Sequence, residues 1–426
     1  MIMKHLLKKA LVALLSFFTK AVIKKYKPFV IMVTGSVGKT STKDAIKAVL
    51  STKNVWGSEK SYNSDIGVPL TVLGAKNPWS SVIGWLGVFE HAFALLLFKH
   101  SYPEYVVLEV GADKPGDLET ILSMVTPDAV VVTHLPEVPV HVEAYASAQK
   151  VRIEEFSPVL ELPNNAPVII CSEDVHALDM VSGLPLKVIT FGFSDSATLR
   201  ISNATQRIEN RDVALSASIE GEQGMFQVTL PMAVGNHQLY APAAAIALAQ
   251  ALGLSPQAID SSIKGYVSPP GRMRIFKGKK NTLILDDTYN SSPAAVESAL
   301  KALSLFPSRK VAFLGDMMEL GKHSNEEHEK VGKLVAGTAQ VFGAVGMRMK
   351  EAARAVLEQG FNADNLHLYG DSREALVPFL QSLQEGDVVL VKGSQSMRME
   401  RIVKALLENP EEAKFLVRQE KEWTHR

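Results

Sequence analysis

Val33-Thr34-Gly35-Ser36-Val37-Gly38-Lys39-Thr40-Ser41 sets two glycines, a lysine and several hydroxyls where an apolar run gives way to a helical pattern. Glycines let backbone N–H groups close around phosphate oxygens, and the positive end of the following helix adds partial charge. In such a loop Lys39 reaches the β- and γ-phosphates of a nucleoside triphosphate and the Thr40 hydroxyl ligates Mg²⁺. Gly35, Ser36, Val37, Gly38, Lys39, Thr40 and Ser41 are therefore the candidate cradle for ATP. The spacing is Gly-x-x-Gly-Lys-Thr, and the first glycine of the longer P-loop pattern falls at Val33. A glycine turn with a solvated lysine is the bland alternative, and the strand–loop–helix context speaks against it.

The elements that must hold this loop follow from hydrophobic periodicity. Phe29–Thr34 is a short apolar β-type run, and Lys39–Leu50 has helical spacing. Tyr105–Val110, Ala129–Thr133, Val168–Cys171 and Val188–Phe191 read as further buried strands. Strands separated by helical stretches predict a mostly parallel sheet covered on both faces. Residues 199–231 alternate in polarity, which predicts a small antiparallel insert, and His237–Leu252 reads as an alanine-rich helix stopped by Gly253. Ser268-Pro269-Pro270-Gly271 is the best boundary, since consecutive prolines stop a helix and glycine permits a turn. Beyond it the alternation restarts with Thr282–Asp286, a helix from Pro293, Lys310–Leu314 and Asp387–Val391. The expected fold is α/β: a P-loop-type central domain over 28–268 and a Rossmann-like α/β domain over 269–426, preceded by a basic amphipathic helix over 1–27.

Lys+Arg and Asp+Glu are both 45 in the 426 residues, so net charge gives no reason to expect nucleic acid. Cys171 stands alone, which excludes an intrachain disulfide or a cysteine metal cluster and fits a reducing, cytoplasmic compartment. The charge balance hides an asymmetry: residues 1–27 hold seven lysines, and no acidic residue precedes Asp44. The uncharged run Ala10–Thr19 between the lysine clusters is shorter than the ~20 apolar residues that a span needs. Residues 1–27 read equally as a helix in a membrane interface, lysines toward anionic headgroups, or as a helix packed on the next domain. Trp79–Phe98 is a second apolar stretch, in which Glu90 and His91 argue against lipid burial. It is expected to be a buried helix of the α/β domain, pairing with the first helix.

From the phosphate loop onward the ordered strings resemble the Mur ligases, over about Phe29 to about Leu407. Thr34-Gly35-Ser36-Val37-Gly38-Lys39-Thr40 resembles that family's shortened P-loop, and Tyr62-Asn63-Ser64-Asp65-Ile66-Gly67-Val68-Pro69 its Asn-x-x-x-Gly-x-Pro loop. Leu108-Glu109-Val110-Gly111-Ala112 is similar to the segment whose glutamate ligates Mg²⁺, and His141-Val142-Glu143 to the one that supplies a second-metal ligand. Gly271-Arg272 resembles the arginine that reaches the ATP phosphates from the second domain. Leu285-Asp286-Asp287-Thr288-Tyr289-Asn290 resembles the signature whose second aspartate approaches the ribose. Leu314 to Gly321, with Asp316, Glu319 and downstream His328, and Val391 to Glu400, with Lys392 and Ser394, are similar to the branch that adds D-alanyl-D-alanine. The resemblance implies ATP-dependent amide-bond formation through an acyl phosphate on a peptide cell-wall precursor, with a monomer expected. It assigns catalysis to Lys39, His141, Glu155 and Arg272. Metal ligation falls to Thr40, Glu109, His141 and Glu155, and nucleotide contacts to the loop, Arg272, Asp287 and Asn290. Substrate contacts fall to Asn63, Asp316, Glu319, His328, Lys392 and Ser394.

Three departures bear on that assignment. About 28 residues precede the first strand, too few for the family's uridine-nucleotide-binding domain. The acceptor is then expected to be held by the other two domains, by a partner or at a membrane. Counting forward from Ser147, the family's carbamylated lysine falls on Glu155, with Leu162-Pro163 and Glu173-Asp174 keeping register. Glu155 supplies the negative charge on a shorter arm, through a bridging water or a shifted helix, and Lys150 is a weaker substitute. The bland alternative for Glu155 is a solvated helix glutamate. His134, Ala241 and Ser292 each replace an asparagine of the family pattern, and losing the amide at Ala241 removes a contact worth ~0.5–1.5 kcal/mol. The competing functions are a ligase for a different acceptor, such as another peptide or a lipid-linked intermediate, and a membrane-associated nucleotide-binding scaffold without ligation.

Overall fold

The structure is a computed structural model that describes residues 2–58, 61–209, 211–420 and 423. The strands of the first sheet are β1 (Phe29–Thr34), β2 (Val55–Gly57), β3 (Tyr105–Glu109), β4 (Ala129–Val132), β5 (Pro167–Cys171), β6 (Lys187–Gly192), β7 (Leu199–Glu209), β8 (Asp212–Gly221) and β9 (Gly224–Pro231). They run in the order β2-β3-β1-β4-β5-β6-β7-β8-β9. Pairing is parallel as far as β7 and antiparallel from β7 to β9, so the alternating stretch extends the main sheet as a meander. The second sheet holds β10 (Arg274–Lys277), β11 (Leu283–Asp287), β12 (Lys310–Gly315), β13 (Val341–Val345), β14 (Leu366–Tyr369) and β15 (Val388–Lys392), in the order β10-β11-β15-β12-β13-β14. Only β10 is antiparallel to its neighbour. Ser268-Pro269-Pro270-Gly271 lies between the two sheets.

Period-two side-chain alternation splits the first sheet's core into two layers. Ile31 and Val33 face one layer, with the alanine helix Tyr240–Ala251 and the helix α2 (Lys39–Val49). Small alanines let that helix lie close on the sheet. Val30 and Met32 face the other layer, under α1 (Ile2–Tyr26), α3 (Gly67–Val72), α4 (Val82–Leu97), α5 (Asp117–Leu122) and α6 (Ala148–Leu160).

Four strands carry no strong sequence signal. β2 is three residues long at the sheet edge, and β10 and β14 are short edge strands. β13 is interrupted by Gly343, where a Cβ would collide with the Phe313 ring, so the glycine that weakens the strand pattern is required by packing. The expectation of a buried helix over Trp79–Phe98 needs correction. α4 does pair with α1, Phe18 lying 5.1 Å from Phe93 and 5.9 Å from Phe89 between ring centroids. Yet only Val88, Ala92 and Leu95 of α4 are buried. Its length and apolar character fit burial equally well, and periodicity alone does not say how much of a helix its neighbours cover. Among the described residues no helix is long and apolar enough to cross a membrane.

Candidate active site

Parallel strands bring their C-terminal ends to one rim, where ligands of open α/β sheets bind. Register sets the first contacts: Val33 of β1 lies opposite Glu109 of β3, and Thr34 opposite Val132 of β4. The phosphate loop leaving β1 is therefore flanked by Glu109 on one side and by Thr133 and His134 on the other. Gly35 is required there, since its φ is +117° and a Cβ would meet the His134 amide nitrogen at 2.9 Å. In the second sheet, register puts Asp287 of β11 opposite Lys392 of β15.

A cavity of about 390 Å³ joins these two rims. Among the candidate residues, Ser36, Val37, Gly38, Lys39, Ser41, Asn63, Glu109, His141, Glu155, Arg272, Asp287, Asn290 and Lys392 line it. Gly35 and Thr40 sit immediately behind the wall, within the loop itself. A cavity of about 700 Å³ over Tyr145, Lys150 and Glu154 shares none of these residues. The smaller cavity is the one that gathers the chemistry.

Contacts inside the cavity divide into two groups. Thr40 Oγ1 lies 3.1 Å from Glu109 Oε1 and 2.8 Å from Ser61 Oγ. Glu109 is 3% exposed, and its Oε2 is buried with no hydrogen-bond partner. An orphaned buried carboxylate oxygen beside two hydroxyls is a hard, all-oxygen donor set of the kind Mg²⁺ takes. In the second group, Ser36 Oγ donates to Glu155 Oε2 at 2.5 Å and Lys39 Nζ lies 3.8 Å from Glu155 Oε1. Lys39 also donates to the Gly35 carbonyl. Burial raises the Glu155 pKa, against the lowering effect of Lys39 and then Ser36. Glu155 is 3% exposed, so the solvated-glutamate alternative fails. α6 has little amphipathic periodicity to set its inward face, and tertiary packing buries Glu155 beside Val151, Phe156 and Val159.

His141 stands apart from both groups. Its Nδ1 lies 3.0 Å from Glu319 Oε2 and its Nε2 3.4 Å from Asp113 Oδ1. Among the described residues no three His, Cys, Asp or Glu side chains converge as a metal-binding group. Of the four candidate metal ligands, Thr40 and Glu109 meet, whereas Glu155 and His141 spend their polar atoms on protein partners. Lys150 lines the other cavity.

Arg272 comes from the far side of the boundary. Its Nη2 lies 3.2 Å from Thr40 Oγ1, and its guanidinium carbon stacks 4.0 Å from the Tyr289 ring centroid. The stacking holds the planar fork over the phosphate loop. Lys392 Nζ pairs with Asp287 Oδ2 at 2.6 Å and donates to the Asn290 carbonyl at 2.9 Å.

Four candidate substrate residues, Asp316, Glu319, His328 and Ser394, do not line the cavity. Asp316 Oδ1 accepts from the Met349 amide at 2.8 Å, Ser394 Oγ from the Met318 amide at 2.8 Å, and His328 Nε2 from the Met317 amide at 3.0 Å. All three are buried and brace the turn after β12. Glu319 leaves that turn at φ +66° and meets His141.

The sequence reading missed Ser61, Thr133, His237 and Gln238, which also line the cavity. Ser61 adjoins the Tyr62-Asn63 string, and His237 and Gln238 open the helical stretch that holds Ala241, so proximity to those positions was the available signal. Arg418, which donates to the Thr288 and Tyr289 carbonyls, carried none.

Comparison with known proteins agrees with this geometry. The Mur ligase middle domain matches residues 33–249, and the family described as Mur ligase, glutamate ligase domain matches 271–395. The UDP-N-acetylmuramoyl-tripeptide–D-alanyl-D-alanine ligase of Escherichia coli K12 is 29% identical over 386 residues, covering 89% of this chain and 77% of that protein. The ligase of that name from Bacillus subtilis 168 is 26% identical over 398 residues, covering 92% and 78%. Among solved structures, MurF from Acinetobacter baumannii superposes with a TM-score of 0.75 at 23% identity, covering 93% of this chain and 80% of that one. MurF ligase from Thermotoga maritima in complex with ADP gives a TM-score of 0.74 at 23% identity, covering 92% and 83%. With one family match spanning more than half of its residues and a second covering the other sheet, this chain belongs to the Mur ligase family.

Proposed function

We propose that the chain is an ATP-dependent, ADP-forming acid–amine ligase that adds D-alanyl-D-alanine, or a related amine, to a cell-wall peptide precursor. The observation that carries this reading is Arg272, delivered from the second sheet's side to the Thr40 hydroxyl of the phosphate loop. A nucleotide-binding scaffold needs the loop alone. Transfer of a phosphoryl group needs positive charge on both sides of it.

Lys39 and Arg272 neutralise the phosphoryl oxygens as a substrate carboxylate bonds to the terminal phosphorus and ADP departs. The amine nitrogen then bonds to the acyl carbon, the carbon–oxygen bond breaks, and phosphate leaves with the amine losing a proton. Thr40 and Glu109 fit Mg²⁺, which would supply additional charge at the phosphates. Glu155 acts through Ser36 and Lys39 by holding the loop's charge in register, and His141 ties the loop after β4 to Glu319. Asp287 and Lys392 shape the nucleotide end of the cavity, and Asn63 its acceptor end. In this reading residues 28–268 and 269–426 work as two lobes closing on the reactants. Residues 1–27 contact the inner face of a membrane.

Incubation with ATP, Mg²⁺, D-alanyl-D-alanine and a panel of muramyl-peptide acceptors, followed by mass spectrometry, tests the proposal. ADP and a new amide are expected, and both disappear in Lys39→Ala. Nucleotide binding with neither ADP nor an amide for any acceptor would leave the scaffold reading standing.

A further inference from the structure

On α1, Leu6, Ala10, Ala13, Leu14 and Phe17 fall within about a third of the helix circumference at ~100° per residue. All five are exposed, Phe17 at 60%. On α4, Ile83, Leu86, Phe93 and Leu97 are exposed, Ile83 at 82% and Leu86 at 64%. The two stripes form one surface, because Phe17 and Phe93 both pack on the buried Phe18, at 5.4 and 5.1 Å between centroids. Lys25 fastens the pair by donating to the Leu95, Leu96 and Phe98 carbonyls at the C-terminal end of α4.

Charge borders this apolar face on one side. Lys9 and Lys20 flank the α1 stripe, and Lys20, Lys24 and Lys27 line a cleft of about 600 Å³ at its end. Asp128 also lines that cleft and accepts from the Val30 amide at 2.8 Å, so three lysines there face one carboxylate. α1 carries no carboxylate, and α4 carries one, the exposed Glu90, which falls between Ile83 and Leu97 on the apolar stripe at ~100° per residue and must reach from it toward the headgroups.

We propose that the joined faces of α1 and α4 form a docking surface for an anionic lipid bilayer, with apolar side chains at the acyl boundary and the lysine cleft on headgroup phosphates. Large exposed apolar patches mark interaction sites. A second copy would bring two lysine-bordered faces together without supplying counter-charge, since α1 carries no carboxylate, whereas an anionic headgroup layer complements the lysines. Neither helix is long and apolar enough to cross, so the pair lies on the surface. The surface extends the membrane contact proposed for α1 and is independent of the ligation chemistry, since none of its residues lines the nucleotide cavity.

Co-sedimentation of the full chain with vesicles decides it. Binding to equimolar phosphatidylcholine and phosphatidylglycerol is expected, weakening as salt rises and falling steeply on phosphatidylcholine alone. Changing Lys20, Lys24 and Lys27 together to Gln should lower partitioning on the order of 100-fold. The pair Leu14→Gln and Phe17→Gln, and separately Leu86→Gln, should each lower it about 10-fold or more. These positions are exposed, and an unchanged unfolding midpoint confirms that each variant folds. Equal sedimentation with and without anionic lipid, or losses in the α1 variants but none in Leu86→Gln, would overturn the proposal. So would a dimer in sedimentation velocity that Leu14→Gln and Phe17→Gln dissociate in a chain that binds no vesicles.

Discussion

Arg272 Nη2 lies 3.2 Å from Thr40 Oγ1, bridging two side chains separated by 232 positions in the chain. The contact makes the phosphate loop of the first sheet and the segment leading into the second parts of one site. Arg272→Ala should therefore lower kcat by about 10²- to 10³-fold, the loss seen when a preorganised transition-state donor is removed. ATP affinity should change far less, because Lys39 and the loop amides remain. Steady-state kinetics with nucleotide binding measured separately checks this, and an equal loss in both would place Arg272 in ground-state binding.

Asp287 and Lys392 form a buried ion pair at 2.6 Å, with Lys392 2% exposed. Removing one partner leaves the other charge buried without its counter-ion. Lys392→Met should destabilise the protein by ~3–5 kcal/mol, read as a lower urea midpoint. The double variant Lys392→Met with Asp287→Leu should recover much of that loss, since both desolvated charges are then gone.

Asp286 is fully buried, and burial pushes its pKa up from 3.8 to about 6, opposed by the Thr288 hydrogen bond. An acid raised in the folded state contributes stability below its unfolded pKa and loses it as pH rises through the folded value. Asp286→Asn keeps an acceptor for Thr288 and removes that slope. Between about pH 4.5 and about pH 7.5 the variant should gain ~2 kcal/mol relative to the parent. Urea unfolding at the two pH values measures it, and parallel curves would refute the assignment.

His141 has a raised pKa: burial lowers it, but the hydrogen bond and charge of Glu319, and then Asp113, outweigh burial. Glu319 is lowered in turn, chiefly by its hydrogen bond to His141, so the two partners agree. A raised histidine stabilises the His141–Glu319 contact below pH 6.5 and loses that contribution as pH climbs through the folded pKa. Glu319→Gln should lower the His141 pKa in an NMR titration. The pH dependence of turnover should shift to lower pH with it.

Much of the fold is legible in the sequence alone, because a strand or helix is specified by hydrophobic alternation over a few residues. Phe29–Thr34 became β1 with its predicted bounds, and the helical run after it became α2. The phosphate loop was readable for the same reason: its glycines, lysine and threonine act as neighbours in sequence. What lay beyond local pattern was every meeting of distant side chains. Glu155 meets Ser36 across 119 positions, and only packing of α6 against the loop turned it inward. Asp316, His328 and Ser394 look in sequence like residues that contact substrate, yet the turn after β12 consumes their hydrogen-bonding atoms. α4 reads as a buried helix by composition, yet its outer face is bare, because exposure depends on which elements happen to lie alongside. Sequence determined the elements and the loop chemistry, whose forces act between near neighbours. Tertiary structure decided which charges pair and which apolar faces stay uncovered, since both depend on contacts between residues far apart in the chain.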